Sequence, residues 1–536
     1  MQGTMMNFPL TLTHVLERAG RLFGAAKIVS RLPDKTLHRC RYRDFHRRAH
    51  ALGGALQAAG LKKSDRVATL MWNHYAHLEA YFGIPCAGGV LHTLNLRLHP
   101  DDIGYIANHG GDRFLIVDDV LLPLLEKFKA QAKFERIFVV PLTGQPVPAP
   151  YEDYEKFIAG NLPMQAPVLD EHDGAGMCYT SGTTGKPKGV VYSHRALVLH
   201  SMACAMGDTL GLRQSDSLCP VVPMFHVNAW GLPFTGAMVG CKLVLPGPHL
   251  DAVSLLDLYQ SEKVTVTAGV PTIWTGILQA LEKNPAGWRL TPRMRMIVGG
   301  ATAPESMIRA FDKFDLEVLH AWGMTETTPL GTTAHLKHGL TSLSEDERYA
   351  YRRKQGLPAP FVEVRAMTDA GAAPWDGATM GELQVRGPWI AASYHELESE
   401  ADKWTADGWF RTGDVVTIDA EGYVKITDRT KDLIKSGGEW ISSLDLENAL
   451  VGHPAVQEAA VIGIAHPKWD ERPLAVIVCK PDATTTEQEL REYLAARFAK
   501  YWLPDGFAFV EQIPRTSTGK MMKATLREQF RDWRWA

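Results

Sequence analysis

Short apolar runs alternate with amphipathic stretches through most of this chain, and that alternation constrains the fold more than any other feature. Amphipathic stretches at Tyr42–Ala59, Asp251–Glu262 and Pro304–Phe314 predict helices. Between them, buried strands are predicted at Arg66–Leu70, Phe114–Val117, Arg136–Val140, Cys241–Leu245, Val264–Thr267, Met296–Val298 and Leu316–Leu319. This order is typical of parallel sheets covered by helices, in which ligands bind beyond the carboxyl ends of the strands.

The texture of the sequence changes twice towards its carboxyl end. Strands and turns dominate from about Val362, and a compact mixed pattern follows Thr430. In that last part, helices are predicted at Leu444–Val451, Thr485–Phe498 and Met522–Arg531, and strands at Val456–Ile464, Leu474–Lys480 and Phe507–Val510. We therefore expect a large N-terminal α/β domain of layered sheets and helices, residues 1–430, and a small mobile α+β C-terminal domain, residues 431–536.

Charge and cysteine usage exclude several classes of protein. The 57 Lys and Arg residues against 60 Asp and Glu give a net charge of −3, which argues against a dedicated nucleic-acid binder. The seven cysteines are scattered without a C-x-x-C pair, so they predict buried free thiols rather than disulfides or a zinc cluster. Charged residues interrupt the N-terminal apolar stretch, and no run approaches the roughly 18 apolar residues of a membrane span. We expect a cytoplasmic protein.

A glycine-rich loop, Tyr179–Gly189, follows the apolar run Ala175–Cys178. Its glycines allow backbone N–H groups to turn inward, and Lys186 and Lys188 add positive charge. The phosphate-facing candidates are Thr180, Ser181, Gly182, Thr183, Thr184, Gly185 and Lys186. This composition predicts a nest for a polyphosphate. The spacing does not fit a Walker A loop, and Ser181 lacks the flanking glycines of a hydrolase nucleophile elbow.

The same loop resembles the phosphate-binding signature of the acyl-adenylate-forming superfamily, which includes acyl-CoA synthetases, peptide-synthetase adenylation domains and luciferases. Further signatures follow in order: Val298–Ala301, His320–Glu326, Gly408–Asp414, Asp428–Lys431 and Pro514–Lys520. The resemblance covers nearly the whole chain. Pro223–Gly231 and Ile434–Ile441 look most like bacterial medium-chain fatty-acid–CoA ligases and the related methylmercaptopropionate–CoA ligases.

The resemblance implies an AMP-forming acid–thiol ligase that uses ATP, CoA and Mg²⁺ on a small carboxylic acid. The acid becomes an acyl-AMP with release of pyrophosphate, and CoA then displaces AMP. By position in the motifs, the catalytic residues are Lys520, Glu326, Thr325 and His226, with Glu326 as the metal ligand. Beyond the loop, the nucleotide-binding residues are Gly299, Gly300, Ala301, Trp322, Gly323, Met324, Asp414 and Arg429. The acyl-binding residues are His226, Trp230, Gly299, Gly300, Trp322 and Pro329.

Lys431 matches the hinge of this family, on which the small domain is expected to rotate between the two half-reactions. The rotation would withdraw Lys520 and present Lys435, Gly437, Gly438, Glu439, Trp440 and Glu471 to CoA. Paired glycines suit a thin pantetheine arm, although an αL turn before a helix explains them equally. Family resemblance also implies a homodimer.

Several alternatives stay open at this point. Trp322 stands where many relatives have Tyr, and Trp322, Trp230 and His226 can each be read as core residues. The substrate is a short- or medium-chain fatty acid or 3-methylmercaptopropionate. A free-standing enzyme that loads a carrier protein, or a luciferase-like oxygenase, would share the first half-reaction. A regulator that binds ATP without catalysis is disfavoured, because Lys520 and Glu326 are both present.

Overall fold

Two large sheets with helices between and around them form most of the chain. The computed structural model describes residues 1–160, 164–180, 186–436, 439–481, 483–516 and 521–535, without the side chain of Glu439. In spatial order, the largest sheet contains Leu357–Pro358, Thr332–Thr333, Leu316–Trp322, Met294–Val298, Val266–Gly269, Ser217–Pro220, Lys242–Leu245, Lys27–Arg31 and Leu37–Arg41. Its central strands are parallel, so their carboxyl ends meet at one edge.

The second sheet packs against the same apolar core. Its order is Glu152–Asp153, Arg136–Val140, Asp112–Asp118, Arg66–Leu70, Val90–Thr93, Gly174–Tyr179 and Gly189–Ser193. The last two strands are antiparallel, with Tyr179 opposite Gly189, so the glycine-rich loop joins two paired strands. Side chains of both sheets share one core with the helix Tyr75–Cys86, which is buried from Ala76 onward.

A third sheet lies after the large α/β part of the chain. Its order is Gly371–Ala372, Glu363–Thr368, Gly381–Arg386, Phe410–Ile418 and Val424–Arg429. The small C-terminal unit follows, with the strands Glu439–Ile441, Ile434–Ser436, Asp470–Cys479 and Val456–His466, and Gly506–Phe509 beside Asp470–Cys479. These observations confirm the predicted fold class.

Several helices begin at a residue whose side chain accepts one of the first free N–H groups. Asp251 accepts from the N–H of Ser254, and Ser442 accepts from the N–H of Asp445. The helices are Leu12–Leu22, Tyr42–Ala58, Tyr75–Cys86, Pro100–His109, Leu122–Leu125, Tyr154–Ala159, His194–Ala205, Leu232–Val239, Ala252–Glu262, Pro271–Lys283, Glu305–Asp312, Glu345–Arg352, Ser443–Val451, Glu487–Ala495 and Lys523–Gln529. Short 3₁₀ segments are Asp119–Leu121, Lys129–Gln131, Thr325–Thr327, His338–Leu340, Glu398–Lys403 and Lys500–Trp502.

Most predicted elements are present, with bounds that differ by a few residues. Arg66–Leu70 and Arg136–Val140 begin and end as predicted. The N-terminal hairpin Lys27–Arg31 and Leu37–Arg41 was not anticipated, because its alternating polar residues hide its place at the edge of the largest sheet. Among the described residues, no helix combines the length and the apolar character that crossing a bilayer requires.

Candidate active site

A cavity of about 800 Å³ opens where the carboxyl ends of the central strands meet the third sheet and the small C-terminal unit. It contains most of the predicted site residues that the structure describes. These are Thr180, Lys186, His226, Trp230, Gly299, Gly300, Ala301, Trp322, Gly323, Met324, Thr325, Glu326, Pro329, Asp414, Arg429 and Lys431. Residues that are distant in sequence therefore converge on one enclosed space.

One wall of the cavity combines glycines, an indole and a carboxylate. Gly299–Ala301 follows the strand Met294–Val298, and Trp322 ends the neighbouring strand Leu316–Trp322. The Trp322 indole N–H donates to Asp414 Oδ2 at 2.8 Å. A Cβ at Gly331 would lie 2.4 Å from the Trp322 ring, so only glycine permits this packing. The indole is thus fixed on two sides.

The Trp322–Asp414 bond is a feature that sequence reasoning missed. Trp322 stands where many relatives have Tyr. In the structure its indole N–H is a donor and binds Asp414, another of the predicted nucleotide-binding residues. Arg429, directly opposite Asp414 in the antiparallel ladder, lies with its Nε 3.5 Å from Asp414 Oδ1.

Glu326 is a buried carboxylate at the floor of the cavity. Its Oε1 accepts a hydrogen bond from the Tyr394 hydroxyl at 2.5 Å. Burial, together with the charge of Glu326, raises the pKa of Tyr394, which therefore stays a donor. The Thr325 carbonyl accepts from the Tyr192 hydroxyl at 2.9 Å. Oxygen ligands of this kind suit a hard cation, so Glu326 fits the predicted Mg²⁺ ligand.

The neck of the glycine-rich loop is closed by two hydrogen bonds. The Thr180 N–H donates to the Lys188 carbonyl at 2.9 Å, and the Lys188 N–H donates to Thr180 Oγ1 at 3.1 Å. Lys188 Nζ pairs with Glu400 Oε2 at 2.5 Å, whereas Lys186 Nζ lies 5.0 Å from the centre of the Tyr105 ring. The predicted phosphate contacts Ser181, Gly182, Thr183, Thr184 and Gly185 lie outside the described residues.

Trp230 ends a left-handed turn beside the glycines of the first wall. Val227 to Trp230 all have φ between 45° and 57°, and Gly231 continues the run with φ 70°. For a residue other than glycine, this conformation costs about 1–2 kcal/mol. A Cβ at Gly299 would lie 3.0 Å from the Trp230 ring, so the indole rests on backbone. The turn is therefore a strained support for one large side chain.

The cavity lining also includes a set of residues other than Asp, Glu, Lys and Arg. His226, His200, Cys204, Leu210 and Ile297 contribute from the body, and Thr272, Thr275, Gly276 and Gln279 contribute from the helix Pro271–Lys283. Burial lowers the pKa of His200 to about 3, which keeps its ring neutral. This lining suits an apolar chain.

The small unit presents one of its two predicted surfaces to the cavity. Arg515, Thr516 and Met521–Ala524, which flank the predicted catalytic Lys520, line it. Lys520, Gly437, Gly438 and the Glu439 side chain lie outside the described residues. The described remainder of the CoA set, Lys435, Trp440 and Glu471, does not line the cavity. These three form a group of their own, with Lys435 Nζ 4.8 Å from the Trp440 ring and the Lys435 N–H bonded to Glu471 Oε2 at 3.0 Å.

Comparison with known proteins agrees with this geometry. The AMP-binding enzyme family matches residues 18–395, and the family of AMP-binding enzyme C-terminal domains matches residues 445–520. The chain belongs to the AMP-binding enzyme family.

Three relatives are similar to this AMP-binding enzyme over nearly its whole length. A long-chain-fatty-acid–CoA ligase of Thermus thermophilus is 50% identical over 99% of this chain and 97% of its own. A 3-methylmercaptopropionyl-CoA ligase of Ruegeria pomeroyi is 45% identical over 99% of each chain. A medium-chain-fatty-acid–CoA ligase of Ectopseudomonas oleovorans is 44% identical over 99% of this chain and 98% of its own. The resemblance drawn from the motifs is confirmed.

Among solved structures, an anthranilate CoA ligase in complex with anthranoyl-AMP has a TM-score of 0.86 and 26% identity, covering 99% of both chains. The arrangement of the large and small units is therefore shared along the full length of this AMP-binding enzyme.

A buried ionic cluster joins the small unit of this AMP-binding enzyme to the third sheet. No sequence motif predicted this cluster. Lys523 Nζ lies 2.7 Å from Glu447 Oε1 and donates to Ser443 Oγ at 2.6 Å. The Ser443 N–H and hydroxyl donate to Asp428 Oδ2 at 2.7 and 2.6 Å. Burial raises the pKa of Glu447 to about 7 despite the adjacent ammonium. Arg527 pairs with Asp432 at the edge of the same cluster.

Proposed function

We propose that this enzyme converts a short- or medium-chain fatty acid to its CoA thioester, with an acyl-AMP intermediate. The observation that carries the proposal is the cavity itself. It brings the Trp322–Asp414 wall, buried Glu326, the segments that flank Lys520 and apolar residues such as Trp230, Leu210 and Ile297 around one space. Relatives at 44–50% identity that are named fatty-acid– and methylmercaptopropionyl-CoA ligases support the same reaction class.

In the first half-reaction, a carboxylate oxygen attacks the α-phosphorus of ATP, and the bond to pyrophosphate breaks. Trp322 and the glycines beside it would hold the adenine, while Asp414 and Arg429 would hold the ribose. Glu326, with Thr325, would hold Mg²⁺, which neutralises phosphate charge when it is bound. Lys520 would bring a cation to the acyl carboxylate and the phosphate oxygens, where negative charge is concentrated.

In the second half-reaction, the CoA sulfur attacks the acyl carbon, and AMP leaves as the thiol proton passes to solvent. Lys435, Trp440 and Glu471 do not line the cavity, whereas the described residues that flank Lys520 do. We therefore propose that the small domain, beginning near Lys431, rotates to exchange these two surfaces.

The acyl pocket supports an aliphatic substrate. The cavity lining includes Trp230, Cys204, Leu210, Ile297 and neutral His200. A pocket of this kind discriminates only about 1–3 kcal/mol per methylene, so neighbouring chain lengths should all be accepted. The thioether acid 3-methylmercaptopropionate is the second candidate, because a methylmercaptopropionyl-CoA ligase is nearly as similar as the fatty-acid ligases.

We also propose a cytoplasmic location and a homodimer. The seven cysteines are free thiols in the structure, which supports a reducing compartment. The dimer is supported by family resemblance alone, and size-exclusion chromatography with light scattering measures it directly.

A panel of acids tests the reaction and its substrate. CoA-dependent AMP release is measured with C3 to C16 fatty acids, aromatic acids and 3-methylmercaptopropionate. We expect the highest kcat/KM for a short or medium aliphatic acid. A clear preference for benzoates, or AMP release that does not depend on CoA, would contradict the proposal.

The Lys520→Ala variant tests the division of labour between the two half-reactions. We expect ATP–pyrophosphate exchange to fall about 10²–10³-fold, with thioester formation from supplied acyl-AMP retained. Lys480→Ala, at an exposed position away from the cavity, is the matched control. Normal exchange in the Lys520 variant would remove this lysine from the mechanism without excluding the overall reaction.

A further inference from the structure

The first two helices of the chain bring together a carboxylate and two imidazoles, far from the cavity. Glu17 lies on the helix Leu12–Leu22, and His46 and His50 lie one turn apart on the helix Tyr42–Ala58. Glu17 Oε1 is 3.1 Å from His46 Nε2 and 2.8 Å from His50 Nε2. One ligand atom from each residue lies within 4.8 Å of the other two. None of the three lines the cavity.

This arrangement has the dimensions of a metal site. Zinc binds imidazole nitrogen and carboxylate oxygen at about 2.0–2.2 Å, so neighbouring ligand atoms in a tetrahedral site lie about 3.3 Å apart. In the structure Glu17 Oε1 lies at hydrogen-bond distance from both imidazole nitrogens, and all three ligand atoms lie within 4.8 Å of one another, so a bound ion would replace the two hydrogen bonds with only a small separation of the side chains. Histidines at positions i and i+4 of a helix share one face, which is the spacing that helical metal sites use.

The surroundings hold the three side chains in place. A Cβ at Gly20 would lie 2.4 Å from the His46 ring, so glycine is needed for the ring to occupy this position. Arg21 pairs with Glu17 Oε2 at 2.9 Å, which leaves Oε1 directed at both imidazoles. Both imidazoles therefore direct their Nε2 atoms at one carboxylate oxygen.

The site is also accessible. The side chains of Glu17, His46 and His50 are 25–28% exposed, which leaves room for a cation to enter and for water to complete its coordination. Two nitrogens and one oxygen with an open position suit first-row divalent metals such as Zn²⁺, Co²⁺ and Ni²⁺ better than Mg²⁺ or Ca²⁺, which prefer oxygen.

We propose that Glu17, His46 and His50 bind one divalent transition-metal ion, with Zn²⁺ as the best fit, and that the ion clamps the first helix to the second. The role is structural. The ion binds the folded chain, in which the two helices are packed together, and therefore stabilises it by mass action.

Calorimetry with the full-length chain tests this proposal. The protein carries no histidine tag, is treated with EDTA and is dialysed into metal-free buffer before titration with Zn²⁺. We expect one saturating equivalent and a higher melting temperature with Zn²⁺ than without it. Titration with Co²⁺ should produce visible absorption bands of a low-symmetry site.

Single substitutions then assign the binding to these side chains. His50→Gln and Glu17→Gln should each weaken Zn²⁺ binding at least about tenfold and remove the thermal shift. His172→Gln, at an exposed histidine outside the cluster, should bind like the unsubstituted chain. AMP release in the presence of Mg²⁺ should be unchanged in all three and serves to show that they fold. No saturable binding to the unsubstituted chain, or equal binding by both cluster variants, would overturn the site.

Discussion

The two walls of the cavity are held by different physical means. In the large N-terminal domain, hydrogen bonds to Asp414 and Tyr394 hold Trp322 and Glu326, and Trp322 also packs closely on Gly331. On the side of the small unit, Lys523 lies among buried carboxylates and depends on several charges at once. Such a cluster is costly to bury and costly to break, because each charge left alone stays in a poorly solvated place. The cavity wall in the large N-terminal domain is therefore preformed, whereas a few ionic contacts hold the small unit in place.

Removing the ammonium should give the largest effect. Lys523→Met leaves Glu447 and Asp428 buried without their cation, and we expect the small domain to lose about 3–5 kcal/mol of stability. Hydrogen exchange of residues 439–481 in the full-length protein measures this loss. The body should keep its protection.

Lys425→Met is the control, because Lys425 joins the same two units through Asp445 at 2.8 Å but lies nearer the surface. We expect it to cost about 1 kcal/mol or less. Equal losses of stability in Lys523→Met and Lys425→Met would show that the buried cluster stabilises the small domain no more than a surface ion pair does.

The next largest effect should be the pH dependence of the stability of the small domain, which we attribute to Glu447. Its pKa is about 7 in the folded protein against 4.5 for the free side chain. Between these values the folded state keeps a proton that the unfolded chain has released, so its stabilisation is complete below pH 4.5 and is lost as the pH rises through 7. The change is on the order of 3 kcal/mol. Glu447→Gln should flatten the exchange-derived stability over this window, and an unaltered slope in the variant would assign the dependence to other groups such as Asp428.

In the large N-terminal domain, Trp322→Phe should act mainly on nucleotide binding. Trp322→Phe keeps an aromatic face but removes the N–H that binds Asp414, at a cost of about 1.5–3 kcal/mol for a bond to a charged group. We expect kcat/KM for ATP to fall at least about tenfold, and the free energy of unfolding to fall by no more than the cost of that bond. Trp288→Phe loses the same kind of bond, from the indole N–H to Asp257 Oδ1 at 2.7 Å, nearer the surface and between residues that do not line the cavity. An equal effect in both variants would contradict a nucleotide role for Trp322.

The two regions also differ in how well the sequence predicts them. Strand ends such as Gly299–Ala301 and Trp322 stand in short local motifs, so both their structure and their convergence were predictable. The Lys523 cluster joins residues about 80–95 positions apart, each of which looks like an ordinary surface charge. The Glu17–His46–His50 group left a weak local signal, since two histidines spaced four apart on a predicted helix share a face. Its carboxylate comes from another helix, which only tertiary packing could identify.

The left-handed turn Val227–Trp230 is a strained part of the cavity wall. Ala229→Gly tests that strain, and of the predictions made it has the smallest expected effect, a change in stability. Ala229 is fully buried at φ 49° and ψ 42°. Glycine removes a conformational cost of about 1–2 kcal/mol but also a buried methyl worth about 0.8 kcal/mol. We expect a gain of up to about 1 kcal/mol in thermal unfolding. Ala237→Gly, equally buried in the right-handed helix Leu232–Val239, should instead lose about 1–2 kcal/mol. If both variants are destabilised alike, the turn stores no strain. If only Ala237→Gly is destabilised, the protein holds Trp230 over Gly299 at a cost in stability. A change in the KM for the acid in Ala229→Gly would then connect that cost to substrate entry.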